Sequence, residues 1–175
     1  MRGTERLRAV ELTTEPLRQA LPALPRAETV LIRLLRISGY GLGDFFLQVF
    51  RNMGLTEIPY HVLCILVASK EGRAYPSELS ELVGTSRATM TNALAVLEQR
   101  GYVTRESSEL DARRSLVIIT EQGVDKVNQM TPALVEPITA AFSKLTLDEQ
   151  EALDRLLRKA IVSFDEAKQQ SGSVL

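Results

Sequence analysis

Two groups of residues in this chain have the types and spacing to do chemistry. The first is charged. The stretch "DARRSLVIITEQG", residues 111–123, opens with Asp111, Arg113 and Arg114 and then turns apolar. Arginines so placed can grip phosphate or enter a narrow, electronegative minor groove. Asp111 would be repelled by phosphate. Its fitting task is to hold a guanidinium in a bidentate pair, with Arg113 or Arg105 as partner. A solvated surface ion pair, contributing about 0–1 kcal/mol, is the plain alternative.

The second group is His61 and Cys64, three residues apart and so on one face of a helix. A Cys–His pair can make a reactive thiolate, which would suit a thiol-based redox sensor. The competing reading is a core cysteine inside "VLCILV", since free Cys is among the most buried residue types. With one His and one Cys, a metal site would also need carboxylates, and no metal or cofactor is expected. The glycine run "GYGLGDF" lacks both the spacing and the preceding strand of a nucleotide loop. Its glycines read as a helix bend or a close backbone approach. No paired carboxylates or nucleophile motif stand out, so the expectation is not an enzyme.

The elements that must position these residues are legible from periodicity and punctuation. Residues 1–25 are polar and broken by Pro16, Pro22 and Pro25, an N-terminal extension in which a short helix follows Thr14-Glu15-Pro16. Leu31, Leu34, Leu35, Phe45, Phe46, Val49 and Phe50 keep helical spacing, with Gly39, Gly41 and Gly43 expected to kink or split the helix. Thr56 and Pro59 open a helix that is apolar nearly all round. "YPSELSELVG" has Pro in the first turn and Gly past the end, and "SRATMTNALAVLEQRG" follows at once. Two short helices across a Gly-Thr turn form a helix-turn-helix. "YVTRE" and "RSLVIIT" are strand-like and bracket a charged tip. The element order is a winged helix.

Thr120 caps the next helix, in which Pro132 and Pro137 predict kinks. "TLDE" at 146–149 has capping-box spacing. Behind it Leu153, Leu156, Leu157, Ala160, Ile161 and Phe164 form an amphipathic stripe, and the tail from Gln169 is expected to fray.

On the second helix of the helix-turn-helix, Met90, Leu94 and Leu97 make the buried stripe. The opposite face near its start, after Thr85, holds Ser86, Arg87, Thr89 and Asn92. Arg can bond guanine O6 and N7, and Asn can pair with adenine. The 175 residues carry a net charge of −1, so total charge does not advertise a polyanion partner. A single Cys excludes an intramolecular disulfide framework, and no apolar run approaches the roughly 20 residues of a membrane helix. A cytoplasmic protein is expected, with no membrane partner.

From about Ala27 to Ala167 the chain resembles the MarR family of bacterial transcriptional regulators. "DARRSLVIITEQG" is similar to the family's D-x-R-x…L-T-x-x-G wing pattern, with Ile119 in place of the Leu. "LSELVGTSRATMTNALAVLEQRGYVTR" is similar to its helix-turn-helix. Asn92 stands where many members carry Arg. The resemblance implies a homodimer with interlocked terminal helices, two winged helices on a pseudo-palindromic duplex DNA operator, and release by a small ligand or by thiol oxidation.

These readings give a mainly α fold with a small β-hairpin wing: a winged helix-turn-helix domain plus dimerisation helices. The expected organisation is extension 1–25, first dimerisation helix region 26–55, DNA-binding lobe 56–120 and C-terminal dimerisation helices 121–175. DNA contacts are expected from Thr85, Ser86, Arg87, Thr89, Asn92, Arg113 and Arg114, with Arg105 and Asp111 stabilising the wing. A small aromatic or carboxylate effector is expected near Tyr40, Phe46, Tyr60 and His61, which offer rings and polar tips. The rival functions are a winged helix that binds protein and a redox sensor using Cys64.

Overall fold

The structure, a computed structural model, describes residues 3–107 and 115–172. Contacts divide the chain into two units, residues 1–130 and 131–175.

The first unit opens with α1, Gly3–Ala20, which passes straight through Pro16. This corrects the expected break. Pro16 cannot donate to the carbonyl four residues back. The same turns gain other bonds: Thr13 Oγ1 donates to the Ala9 carbonyl (2.6 Å) and Thr14 Oγ1 to the Val10 carbonyl (2.7 Å). Arg33 of the next helix also donates to the Thr13 hydroxyl. Val10 is buried, and the Arg6 guanidinium lies 4.0 Å over the ring of Tyr40. Tertiary contact thus outweighs the local breaker.

α2, Arg26–Phe50, is a second correction, because it runs unbroken through Gly39, Gly41 and Gly43. A Cβ added at any of the three would meet no described atom within 4 Å, so no backbone approaches them either. Each glycine costs a helix about 1 kcal/mol, too little to interrupt so long an amphipathic run.

α3, Glu57–Ala68, is the central helix, with Val62, Leu63 and Leu66 fully buried. A short turn, Lys70–Gly72, follows with Glu71 and Gly72 both left-handed (φ 63° and 66°). It delivers β1, Arg73–Ala74, a strand too short to show a period in sequence. Then come α4 (Pro76–Val83), α5 (Arg87–Gln99), β2 (Val103–Ser107) and β3 (Ser115–Ile119). The antiparallel sheet has order β1-β3-β2, with Arg105 opposite Val117 and Ala74 opposite the same valine. Buried Val103 and Val117 anchor the hairpin beneath α5, whose Met90, Leu94 and Leu97 are buried as expected.

The Thr-x-x-Gly at the end of the hairpin has a specific mechanical role. Thr120 Oγ1 donates to the Gly101 carbonyl (2.7 Å) and accepts from the Gly123 N–H (3.1 Å). A Cβ on Gly123 would sit 2.3 Å from the Tyr102 carbonyl oxygen. The motif therefore stitches the exit of α5, the end of β3 and the start of α6 together. α6, Glu121–Ala141, continues with Pro132 and Pro137 inside it.

In the second unit α7 spans Leu147–Gly172, extending beyond the expected fraying point. Its N-terminus carries the expected capping box: the Glu149 carboxylate accepts from the Thr146 N–H (2.8 Å), and the Glu149 N–H donates to Thr146 Oγ1 (3.3 Å). Leu156, Ile161 and Phe164 are 55–60% exposed along one side of α7 in the single chain.

Candidate nucleic-acid interface

The helix-turn-helix is built by caps at both helix starts and by a glycine turn between them. Pro76 starts α4, and the Glu78 carboxylate accepts from the Tyr75 N–H (2.9 Å). Gly84 ends α4 in the left-handed region (φ 71°), where a side chain would be strained. The Thr85 N–H then donates back to the Ser80 carbonyl (2.9 Å), fixing the reversal. Ser86 caps α5 by accepting from the Thr89 N–H (3.1 Å), and the two hydroxyls share a 2.8 Å bond. Ser86 and Thr89, both expected to contact DNA, thus also order the helix start.

The 3.6-residue period sorts the rest of α5 into three lines. Ala88, Asn92, Ala95 and Gln99 lie opposite the buried stripe and are exposed. Arg87, Thr91 and Glu98 flank them on one side. Thr89, Val96 and Arg100 flank them on the other, where they and Asn92 line a groove. Short side chains along the outward line leave room for base edges. Thr91 escaped the sequence reading because hydroxyl residues are common on any helix surface. Its Oγ1 donates to the Arg87 carbonyl (2.9 Å).

On the Arg87 flank, Glu98 Oε2 lies 3.1 Å from Arg105 Nε on β2. The wing strand is thus tied to the recognition helix. Asp111, Arg113 and Arg114, the charged tip of the sequence reading, lie outside the described residues.

On the other flank an open groove of about 850 Å³ lies between the end of α2, the start of α3 and α5. Leu47, Phe50, Ile58, Pro59 and Val96 give it apolar walls, and Arg51 and Arg100 give it positive charge. Arg100 closes α5 and donates to the Gly54 carbonyl in the turn between α2 and α3. Arg100 was missed because a basic residue at a helix end reads as ordinary capping.

None of the four expected effector residues lines this groove. Phe46 and Tyr60 stand behind it, each in tilted ring contact with Phe50 (6.0 and 5.4 Å between centroids), with His61 next to Tyr60 at 6.4 Å. Tyr60 is 7% exposed, whereas Tyr40 is 62% exposed beneath Arg6 on α1. Cys64 is half-buried, and burial raises its thiol above the ordinary range, opposed by a hydrogen bond with Tyr60. No hydrogen bond joins it to His61 among the described residues. The described residues also contain no cluster of three or more potential metal ligands and no helix long and apolar enough to cross a membrane.

A helix-turn-helix whose recognition helix is tied to a two-stranded wing defines a winged helix-turn-helix protein. Comparison with known proteins agrees. The sequence model of the MarR family matches residues 53–114. The HTH-type transcriptional regulator MgrA of Staphylococcus aureus is 32% identical over 124 residues, 70% of this chain and 80% of that one. Among solved structures, Sco3205, a MarR family regulator from Streptomyces coelicolor in complex with DNA, is similar with a TM-score of 0.72. It is 26% identical, covering 81% of this chain and 93% of that one. BpsR of Bordetella bronchiseptica, whose DNA binding is regulated by 6-hydroxynicotinic acid, gives a TM-score of 0.66 at 26% identity. That match covers 73% of this chain and 89% of BpsR. The chain belongs to the MarR family: it is a transcriptional regulator and not an enzyme.

Proposed function

We propose that this protein is a homodimeric, cytoplasmic repressor that binds a pseudo-palindromic operator and is released by a small anionic effector. The observation that carries the DNA reading is the exposed face of α5, from Arg87 to Asn92, beside a wing strand held by Glu98 and Arg105. Arg87 and Asn92 read base edges, while Thr85, Ser86 and Thr89 lie at a helix start suited to phosphate. Arg113 reaches the minor groove and Arg114 the backbone, with Asp111 holding the tip. Two half-sites stand about one helical turn apart.

The dimer reading rests on the exposed stripe of α7, too apolar to face water along its length. The effector reading rests on the groove, which combines apolar walls with two arginines beside the recognition helix. That make-up suits an aromatic carboxylate. The chain's overall likeness to BpsR, whose DNA binding is regulated by 6-hydroxynicotinic acid, points the same way. Phe46 and Tyr60 then act by supporting Phe50, with His61 at the end of the ring ladder and Tyr40 apart from it under α1. The raised thiol of half-buried Cys64 argues against a redox sensor.

Selection of bound duplexes from a random DNA library tests the reading. An inverted repeat, retained in a steeply salt-dependent manner, is expected. Retention that ignores salt, or no retention at low ionic strength, overturns it.

A further inference from the structure

The recognition helix and the groove share one side chain. Arg100 ends α5, lines the groove and donates to the carbonyl of Gly54. Gly54 holds the turn between α2 and α3 in the left-handed region (φ 78°). Among the described residues no carboxylate pairs with Arg100, so its guanidinium is held by a neutral acceptor. A second cation stands close by: a Cβ built on Gly54 would lie 3.7 Å from Arg100 Nη1 and 3.8 Å from Lys126 Nζ of α6. In the groove wall itself Arg51 joins Arg100 as a second positive group, against the single acid Glu57.

We infer that Arg100 is the positioning residue that couples the groove to the recognition helix. Its guanidinium latches the end of α5 to the Gly54 carbonyl, and a carboxylate entering the groove takes that guanidinium instead. The exchange is favourable in kind, because a hydrogen bond between ions is roughly twice as strong as one to a neutral carbonyl. Unlatching frees one end of α5 while its buried stripe stays packed, so the helix changes angle without unfolding. This inference rests on the effector reading above and names the residue through which the groove acts.

The test compares the full-length wild type, Arg100→Gln and Arg100→Lys on the selected operator, with benzoate as the carboxylate probe and chloride at equal ionic strength as control. Benzoate is expected to weaken wild-type binding by about five- to tenfold. Arg100→Gln is expected to be weakened by a similar factor and to ignore benzoate. Arg100→Lys, which keeps a charged donor, is expected to recover part of the affinity and part of the response. The salt slope should be the same in all three. A slope about one unit smaller in Arg100→Gln would make Arg100 a phosphate contact instead and overturn the inference. Full operator affinity in Arg100→Gln, or a wild type that treats benzoate like chloride, also overturns it. If the wild type binds no duplex, the parent reading falls. The latch is then judged by amide exchange at residues 53–58, which must quicken in Arg100→Gln.

Discussion

Glu98 of the recognition helix and Arg105 of the first wing strand meet at 3.1 Å, one residue before α5 ends and two residues into β2. Both side chains are partly exposed, so the pair contributes no more than about 1 kcal/mol to stability. Its importance is angular: it fixes the wing against the helix that reads the groove. Glu98→Ala is expected to leave the melting temperature within a few degrees of wild type and to weaken operator binding several-fold. Unchanged affinity by fluorescence anisotropy would show that the wing needs no such tie.

Gly123 is the position where the smallest substitution should do the most harm. A methyl group there would sit 2.3 Å from the Tyr102 carbonyl oxygen and 2.7 Å from Ile119 Cγ1. Backbone must move to admit it, at a cost of about 1–3 kcal/mol. Thr120→Val should add a smaller loss by removing the bonds to Gly101 and Gly123. Urea denaturation measures both, and a neutral Gly123→Ala would refute the close approach.

Arg87 and Arg113 should fail differently. Arg87→Ala is expected to relax base preference at one position of each half-site, by about 1–3 kcal/mol. Arg113→Ala should weaken all sequences more evenly. Asp111→Ala acts indirectly, through the order of the wing. Binding to a panel of single-base operator variants separates these outcomes, and equal small effects from all three would reduce the charged tip to a solvated turn.

The exposed stripe of α7 sets up a test of assembly. Leu156→Glu with Ile161→Glu places two charges on side chains that are 55% and 60% exposed in the single chain. Such changes cost little on a free surface and abolish an apolar interface. Light scattering should report monomers or insoluble protein. A soluble dimer would place the interface elsewhere.

Acid should loosen the start of α7. Hydrogen bonds from the Thr146 backbone and hydroxyl hold the Glu149 carboxyl below its ordinary value of 4.5. A carboxyl lowered in the folded state stabilises above its unfolded pKa, and that contribution is lost as pH falls through the folded one. Glu149→Gln is expected to flatten this part of the acid limb. Helicity followed by circular dichroism from neutral pH downward, in both proteins, should diverge at neutral pH and converge in acid.

Sequence was informative where one local rule decided the outcome. The Gly84 turn, the Thr146–Glu149 box and the buried stripe of α5 all follow from residue type and spacing. Sequence was misleading where a distant residue supplied the missing bond. Arg33 and the threonines of α1 compensate around Pro16, and the length of α2 carries its three glycines. The site divides the same way. Asn92 stands out as a polar residue opposite an apolar stripe, and Arg87 as a charged one at the exposed start of the same helix. Arg100 and Glu98 do not, because their meaning lies in Gly54 and Arg105, residues brought close by folding.

The continuity of α2 has a mechanical consequence. Twenty-five residues at 1.5 Å each make a rod about 37 Å long. Its last third, from Gly43 to Phe50, forms one wall of the groove, while its middle carries the Arg6–Tyr40 stack. A stiff rod multiplies small tilts. A swing of about 5° at one end displaces the other by about 3 Å, close to the roughly 3.4 Å between successive bases. Had the glycines broken the helix into two pieces, the same tilt would dissipate at the joint. As one lever, α2 can convert a sub-ångström adjustment at one end into a misalignment of one base step at the other.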